Sequence, residues 1–295
     1  MSKGFLGRLA LFGTAFIWGT SFVILKTPLD SIGALWVLAI RFTVSTLLLG
    51  LFAGKKLKKM DRRSFKGSVG MGLCLAVAYI VQTYGLMYTT PGKNAFLTAT
   101  YCVLVPFMAW GVYKRKPDVS NIAAAFLCIT GIGFVSLSGA GTGVNTGDIL
   151  TLVCGVFYAL QIIMMEQYVS DSDALSVSVI QFGTAALLCW AGALLFEAPP
   201  LSVPGSAWLS IGYLSVMCTA VCFFLQAWGM QYTPSSTSAV IMTLESVFGT
   251  LISVVFYNEP MTGKLLLGFA LIFAAVLISE TKPRLFQRKS DEVKG

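Results

Sequence analysis

Ten stretches of this sequence are apolar for about as long as a helix needs to cross a hydrocarbon layer, roughly 20 residues. They run Leu9–Leu25, Ile32–Ala53, Gly67–Tyr88, Ala95–Tyr113, Val119–Leu137, Ile149–Met165, Ala174–Phe196, Trp208–Tyr232, Thr237–Tyr257 and Leu265–Ser279. Only two charged residues fall inside them, Arg41 and Glu245. No charge lies between Ala198 and Leu244, so the eighth and ninth runs are separated by turn chemistry. Pro199, Pro200, Pro204 and Gly205 open that stretch, and Pro234, Ser235 and Ser236 divide it. A soluble globule of 295 residues could not be coated by this composition: 12% of the chain is charged and the mean hydropathy is +0.78, against about 25% charged in an average soluble domain. Barrel strands would show weak alternation over about 10 residues. These runs are continuously apolar, which predicts helices.

The chain has no histidine, which removes His-dependent catalysis, His metal sites and the simplest near-neutral pH switch. Its seven cysteines all fall in apolar runs without a CxxC pair, as small packing residues do. The first run follows Lys3 and Arg8 as a leader would, but no A-x-A site precedes Lys26, and it is read as a span.

Orientation follows the bias of Lys and Arg in short connections. With ten spans, the head, the connection Gly54–Lys66, the connection Lys114–Lys116 and the tail Lys282–Gly295 share one side, and they hold 17 of the 21 basic residues. Both termini are therefore expected in the cytoplasm of a multi-pass protein of the cytoplasmic (inner or plasma) membrane. That topology accounts for the net charge of +8 without a nucleic-acid partner.

The chain also repeats itself. Shifted by 144 residues, Cys74, Ala76, Val77, Gln82, Gly85, Tyr88 and Thr89 meet identical residues at 218, 220, 221, 226, 229, 232 and 233: seven identities in 16 positions. Biased composition alone gives roughly one or two. Shifted by 140, Ala34, Leu35, Val37, Ile40, Phe42, Leu47 and Leu48 meet their like at 174–188. The expected organisation is a first five-helix repeat at 1–138, a link at 139–146, a second repeat at 147–281 and a basic cytoplasmic tail at 282–295. Five is odd, so the second copy crosses the membrane in the opposite sense. The fold class predicted is all-α integral membrane: ten transmembrane helices as two inverted five-helix repeats around a central cavity. Inverted repeats are a mark of secondary transporters, because exchanging the conformations of the two copies turns an outward-facing state into an inward-facing one.

Several stretches carry a family resemblance over nearly the whole length. The first run holds Phe16-Ile17-Trp18-Gly19-Thr20-Ser21-Phe22, the second Arg41-Phe42, and the fourth Leu104-Val105-Pro106. Most specific is Asn258-Glu259-Pro260-Met261-Thr262 followed by Gly268. Together they resemble the drug/metabolite transporter superfamily, in particular its EamA-type ten-helix branch, whose Glu-x-Pro-Leu-Thr…Gly signature this stretch is similar to. Here Pro260 directly follows Glu259 and Met261 replaces the Leu, and the matching first-copy stretch Lys114–Pro117 lacks the acidic residue often seen there. The resemblance implies a basket of ten helices moving small metabolites, from amino acids and vitamins to lipophilic cations.

Polar residues inside spans are costly and tend to face a cavity or one another. Glu245 is mid-span, with Tyr101 as its repeat mate. It can bind a substrate amine, act as the protonation site that couples transport to a proton gradient, or bond a neighbouring hydroxyl and hold helices together. Arg41, whose mate is Gln181, is either a clamp for a substrate carboxylate or a tie between helices. Lys26 and Glu166 are mates near opposite faces and read as coupling or gate residues. Gln82 and Gln226 are mates at matching depth, suited to a site on the pseudo-two-fold axis or to interhelical hydrogen bonds. Asn94 and Ser238 open the fourth and ninth spans, as caps or as a helix terminus aimed at substrate. Trp18 with its mate Tyr158, Tyr79 with Phe223, and Tyr101 offer aromatic walls. Trp36, Trp110, Trp208, Tyr232 and Tyr257 sit near span ends, where an interfacial belt is expected.

An intramembrane enzyme needs a nucleophile with its base, or a metal, and no H-E-x-x-H or G-x-S-x-G stretch is present. A channel with filter loops and a non-transporting sensor or structural subunit remain the alternatives. The expectation is a secondary active transporter of a small amino acid, amine or neutral or aromatic metabolite, exporting and proton-coupled. It calls for no cofactor or metal. Its partners are the small-molecule substrate and the lipid bilayer, and it can work as a monomer, a dimer being the other form.

Overall fold

The protein, a computed structural model, is described over residues 2–114, 116–136, 145–168, 173–233 and 235–281. Within a helix, the side chains of Glu166 and Ser238 also lie outside the described part. The link residues 139–144 and the tail 282–295 fall outside it too.

The described residues are helical, without a strand among them. In chain order the helices are α1 (Lys3–Leu29), α2 (Ala34–Ala53), α3 (Arg62–Tyr88), α4 (Pro91–Ala99), α5 (Tyr101–Tyr113), α6 (Val119–Ser136), α7 (Thr146–Tyr168), α8 (Ala174–Phe196), α9 (Gly205–Ser215), α10 (Cys222–Gln231), α11 (Ser235–Tyr257) and α12 (Gly263–Thr281). Each apolar run of the sequence lies on helix, apart from Ile32, Gly33, Thr100 and Tyr232, which are not helical, and Leu137, which is outside the described residues. Seven helical stretches are long and apolar enough to cross a membrane, and three shorter apolar ones lie at 119–135, 241–257 and 263–279.

Start signals act where the polar connections supply them. Ser2 caps α1, accepting from the Phe5 backbone N–H, and Asp61 caps α3, accepting from Arg63 and Ser64. Thr90 caps α4, with Pro91 in the first turn, where a missing N–H costs nothing. This corrects one expectation: Asn94 lies in the second turn of α4 and is no cap.

Two runs are not uniform α-helices. The fourth divides at Thr100, whose backbone N–H turns back to the Leu97 carbonyl and whose hydroxyl donates to the same oxygen. Pro106, inside α5, has no N–H for the Cys102 carbonyl four residues earlier; the Ser279 hydroxyl of α12 donates to it instead. The eighth run divides into α9 and α10 around a π-helical turn at Val216–Val221. Periodicity alone reveals neither break, because both involve hydrogen bonds that the apolar pattern does not encode.

Packing is pairwise. α3 lies along α7 and α8, α1 along α11 and the α9–α10 rod, α2 along α8, α6 along α12, and α4 along α11. Glycines allow the tightest crossings. A Cβ on Gly147 would stand 2.6 Å from the Gly85 carbonyl between α7 and α3, and one on Gly229 would stand 2.9 Å from the Gly7 carbonyl between α10 and α1. Aromatic stacking fills the junctions, with Phe96 on Phe269 at 4.2 Å between centroids and Phe42 on Phe182 at 5.9 Å. Trp36, expected in the interfacial belt, is instead buried, edge-on to Trp190 and donating its indole N–H to the Ala198 carbonyl. Trp110, Trp208, Tyr232 and Tyr257 are exposed.

Candidate functional site

A cavity of about 150 Å³ opens between α1, α2, α3, α4, α5, α7, α10 and α11. Among the described residues, α6, α8, α9 and α12 contribute nothing to its lining. From α1 come Trp18, Ser21, Phe22 and Leu25, which is the spacing i, i+3, i+4, i+7 of one helical face. From α7 come Tyr158, Gln161, Ile162 and Met165, the same spacing displaced by 140 residues. Tyr79 and Gln82 of α3 are matched by Phe223 and Gln226 of α10, displaced by 144, as Tyr101 of α5 is by Glu245 of α11. Leu75, Asn94, Thr98 and Arg41 complete the wall.

Most of the residues singled out from sequence are thus brought together: Glu245, Tyr101, Gln82, Gln226, Trp18, Tyr158, Tyr79, Asn94 and Arg41 share one cavity. Lys26 does not join them; its ammonium lies 5.2 Å from the centre of the Tyr257 ring. Ser238 and Glu166 belong to α11 and α7, and their side chains are outside the described residues. Ser21, Gln161 and Thr98 were passed over. The helical face that starts at Trp18 and its mate Tyr158 would have pointed to the first two.

One wall is a polar network fixed in place. The Gln82 amide donates to the Thr98 hydroxyl at 2.9 Å and accepts from the Tyr158 hydroxyl at 2.9 Å. Asn94 donates to the Thr151 hydroxyl at 2.8 Å and to the Gln82 backbone carbonyl at 3.4 Å. A buried amide tied this way holds α3, α4 and α7 together. The rings around it form a continuous aromatic lining: Tyr79 meets Tyr158 at 5.6 Å, Tyr158 meets Tyr101 at 6.0 Å, and Trp18 meets Phe223 at 5.4 Å.

The other wall is charged. Arg41 is 2% exposed. Its Nε donates to the Thr219 hydroxyl at 2.9 Å, and its guanidinium carbon lies 4.8 Å from the centre of the Tyr79 ring. The terminal N–H groups of its fork have no hydrogen-bond partner among the described residues. Glu245 likewise has no hydrogen-bonded or ion-paired partner among them. No N···O distance between the two is within 4.0 Å. An unpaired charge out of bulk water is costly. Here a guanidinium fork and a carboxyl group, both without a partner among the described residues, line one space walled by rings. Among the described residues no group of three or more His, Cys, Asp or Glu side chains gathers to hold a metal.

Comparison with known proteins agrees with this architecture. The EamA-like transporter family matches the chain twice, over residues 5–137 and 145–281. An uncharacterized transporter of Archaeoglobus fulgidus is 35% identical over 279 residues, covering 94% of this chain and 86% of the relative. The uncharacterized transporter YetK of Bacillus subtilis is 26% identical, covering 91% and 84%. A solved crystal structure superimposes with a TM-score of 0.69 at 18% identity, covering 96% of this chain and 99% of that one, a likeness of fold alone.

Proposed function

The chain belongs to the EamA-like transporter family of membrane proteins, and on that premise we propose that it is a secondary transporter carrying a small zwitterion, an amino acid with an uncharged side chain, through the cavity by alternating access. The observation that carries this reading is the register of the lining. The face 18, 21, 22, 25 of α1 recurs as 158, 161, 162, 165 of α7, and 79, 82 of α3 recur as 223, 226 of α10. A cavity built from equivalent positions of two copies lies where exchanging their conformations moves it from one face of the membrane to the other.

Helix packing supports the inverted arrangement. α3 against α7 is the counterpart of α10 against α1, and the tight glycine crossings Gly85–Gly147 and Gly229–Gly7 fall at matching positions of the two copies. In this reading α4 and α5 form one span and α9 and α10 another, giving ten, with both termini in the cytoplasm. The Lys56–Asp173 contact supports placing the α2–α3 and α7–α8 connections on one face. Glu245 receives the substrate ammonium, and by binding a proton in its absence it couples export to the proton gradient. Arg41 receives the carboxylate through its free fork. The aromatic walls suit an apolar side chain, and the cavity is comparable in size to a site for a single benzene ring, about 150 Å³.

The test is counterflow in proteoliposomes with radiolabelled L-leucine and L-phenylalanine. A carrier gives saturable uptake stimulated by the same amino acid on the far side, and Glu245→Gln abolishes it. Flux that neither saturates nor responds to the far side points to a channel. Binding without flux points to a sensor, and absence of both removes the amino-acid reading.

A further inference from the structure

A cavity that selects a carboxylate has to hold its guanidinium still, and the residue doing so comes from an irregular turn. Between α9 and α10 the backbone widens into the π-helical turn Val216–Val221. Such turns are rare inside α-helices and recur at functional sites. The carbonyls around this one are taken up from neighbouring helices. Trp18 donates its indole N–H to the Cys218 carbonyl at 2.6 Å, and the Ser45 hydroxyl approaches the Ser215 carbonyl at 2.9 Å. The turn also presents Thr219, fully buried, whose hydroxyl donates to the Leu214 carbonyl at 2.9 Å and accepts from Arg41 Nε at 2.9 Å.

We propose that Thr219 is a positioning residue: by engaging Arg41 at Nε it turns the guanidinium fork toward the cavity and so sets the preference for a substrate carboxylate. The geometry divides the labour within one side chain. Nε is occupied by the protein, the face of the guanidinium lies over Tyr79, and the fork, which binds carboxylates in two parallel bonds, is left over for substrate. With its one hydroxyl proton committed to Leu214, Thr219 presents a lone pair, which a guanidinium requires.

The repeat supplies an internal control. The residue equivalent to Arg41 is Gln181, and the residue equivalent to Thr219 is Leu75. Leu75 lies in regular α-helix, and Gln181 accepts instead from the Gln161 amide at 2.9 Å. The π turn and its threonine occur beside the arginine and are missing beside the glutamine. Packing alone would not require that difference.

This assignment rests on the carboxylate reading of Arg41 given above, and the experiment separates the two. The full chain is purified in detergent, and dissociation constants are measured for L-leucine against L-leucinamide and for L-phenylalanine against L-phenylalaninamide. The wild type prefers each acid to its amide by about tenfold or more. Thr219→Val brings that ratio close to one by weakening the acid and sparing the amide, while Thr219→Ser keeps the wild-type ratio. Because the ratio compares two ligands on the same protein, a general loss of stability does not move it. Should the Val variant not fold, Thr219→Ala removes the same bond and is expected to behave alike. A wild-type ratio retained in the hydroxyl-less variants overturns the role of Thr219 alone. A ratio near one in the wild type, or no binding of either acid, overturns the carboxylate reading and this assignment with it.

Discussion

The Arg41 guanidinium and the Glu245 carboxylate face the same cavity and do not pair. If both were structural ties, each would have a partner in the protein, and removing either charge would cost stability. If they await a ligand, the ligand-free protein bears the cost of an unpaired guanidinium fork and of a buried carboxyl group, which sheds its charge by taking up a proton. Glu245→Gln is therefore expected to melt no lower than wild type without substrate, while losing amino-acid binding by about a hundredfold, the scale of one charge-assisted hydrogen bond. Thermal unfolding in detergent, with and without L-leucine, checks both halves. A variant that melts several degrees lower and still binds would assign Glu245 to holding helices together.

Glycine is required where backbones touch. Gly147→Ala places a methyl group 2.6 Å from the Gly85 carbonyl, so the α3–α7 crossing must open. The expected loss is about 1–3 kcal/mol, as in overpacked cores. Gly133, also in a helix, has nothing within 4 Å of an added Cβ. Gly133→Ala is expected to be neutral or to stabilise by up to about 1 kcal/mol through helix propensity. Melting curves of the two variants side by side decide it, and equal losses would show that the crossing adjusts freely.

Glu259, met in the sequence as part of a family-like stretch, has a structural task. Its buried carboxylate accepts from the Thr90 and Ser253 hydroxyls and from the Gly92 backbone N–H, tying the α11–α12 connection to the start of α4. Negative charge there also meets the positive end of a helix. Glu259→Gln is expected to cost about 1.5–3 kcal/mol, since the bonds lose their charged acceptor. It should also loosen Asn94 and Thr98, which α4 carries into the cavity. Faster amide exchange across 91–99, read by mass spectrometry, checks the prediction; unchanged exchange there would rule the tie out.

What the sequence disclosed and what it hid divide along one line. The apolar runs were legible because burial in a membrane is a property of each residue and needs no partner. Arg41 and Glu245 were legible for the converse reason, as the charges within those runs. Hidden were features made by contact across the chain. The break at 216–221 goes with Arg41, Trp18 and Ser45 reaching in from helices some 170–200 residues away. Glu197 was overlooked as a loop residue, yet it accepts from the Leu35 and Trp36 N–H groups at the start of α2 and from the Tyr84 hydroxyl. Asn94, read from sequence either as a cap or as a group at a helix terminus aimed at substrate, lines the cavity, and the cap belongs to Thr90.

The contact between Lys56 and Asp173 makes a prediction about acid. Asp173 caps α8 and accepts from Lys56 Nζ at 3.0 Å. Partial burial pushes its carboxyl up, but the hydrogen bonds from Lys56 and Ser176 outweigh that and hold it below its ordinary 3.8. A carboxyl depressed in the folded state stabilises the fold above its unfolded value, near 3.9, and that stabilisation is lost as pH falls through the lower folded value. Lys56 is 62% exposed and Asp173 35%, so the ion pair is worth at most about 1 kcal/mol and is weakened by salt. Asn caps a helix about as well as Asp. Asp173→Asn therefore isolates the charge: at pH 7 and low salt it is expected to cost a few tenths of a kcal/mol. The difference should shrink in 0.5 M salt, and it should shrink as pH falls below the unfolded value and vanish once the folded carboxyl is protonated as well. Asp173→Ala removes the cap as well and should cost about 1 kcal/mol more at pH 7. Denaturation of the three proteins across those conditions checks the sign, and a deficit in the Asn variant that did not shrink as pH fell would assign the effect to packing instead of charge.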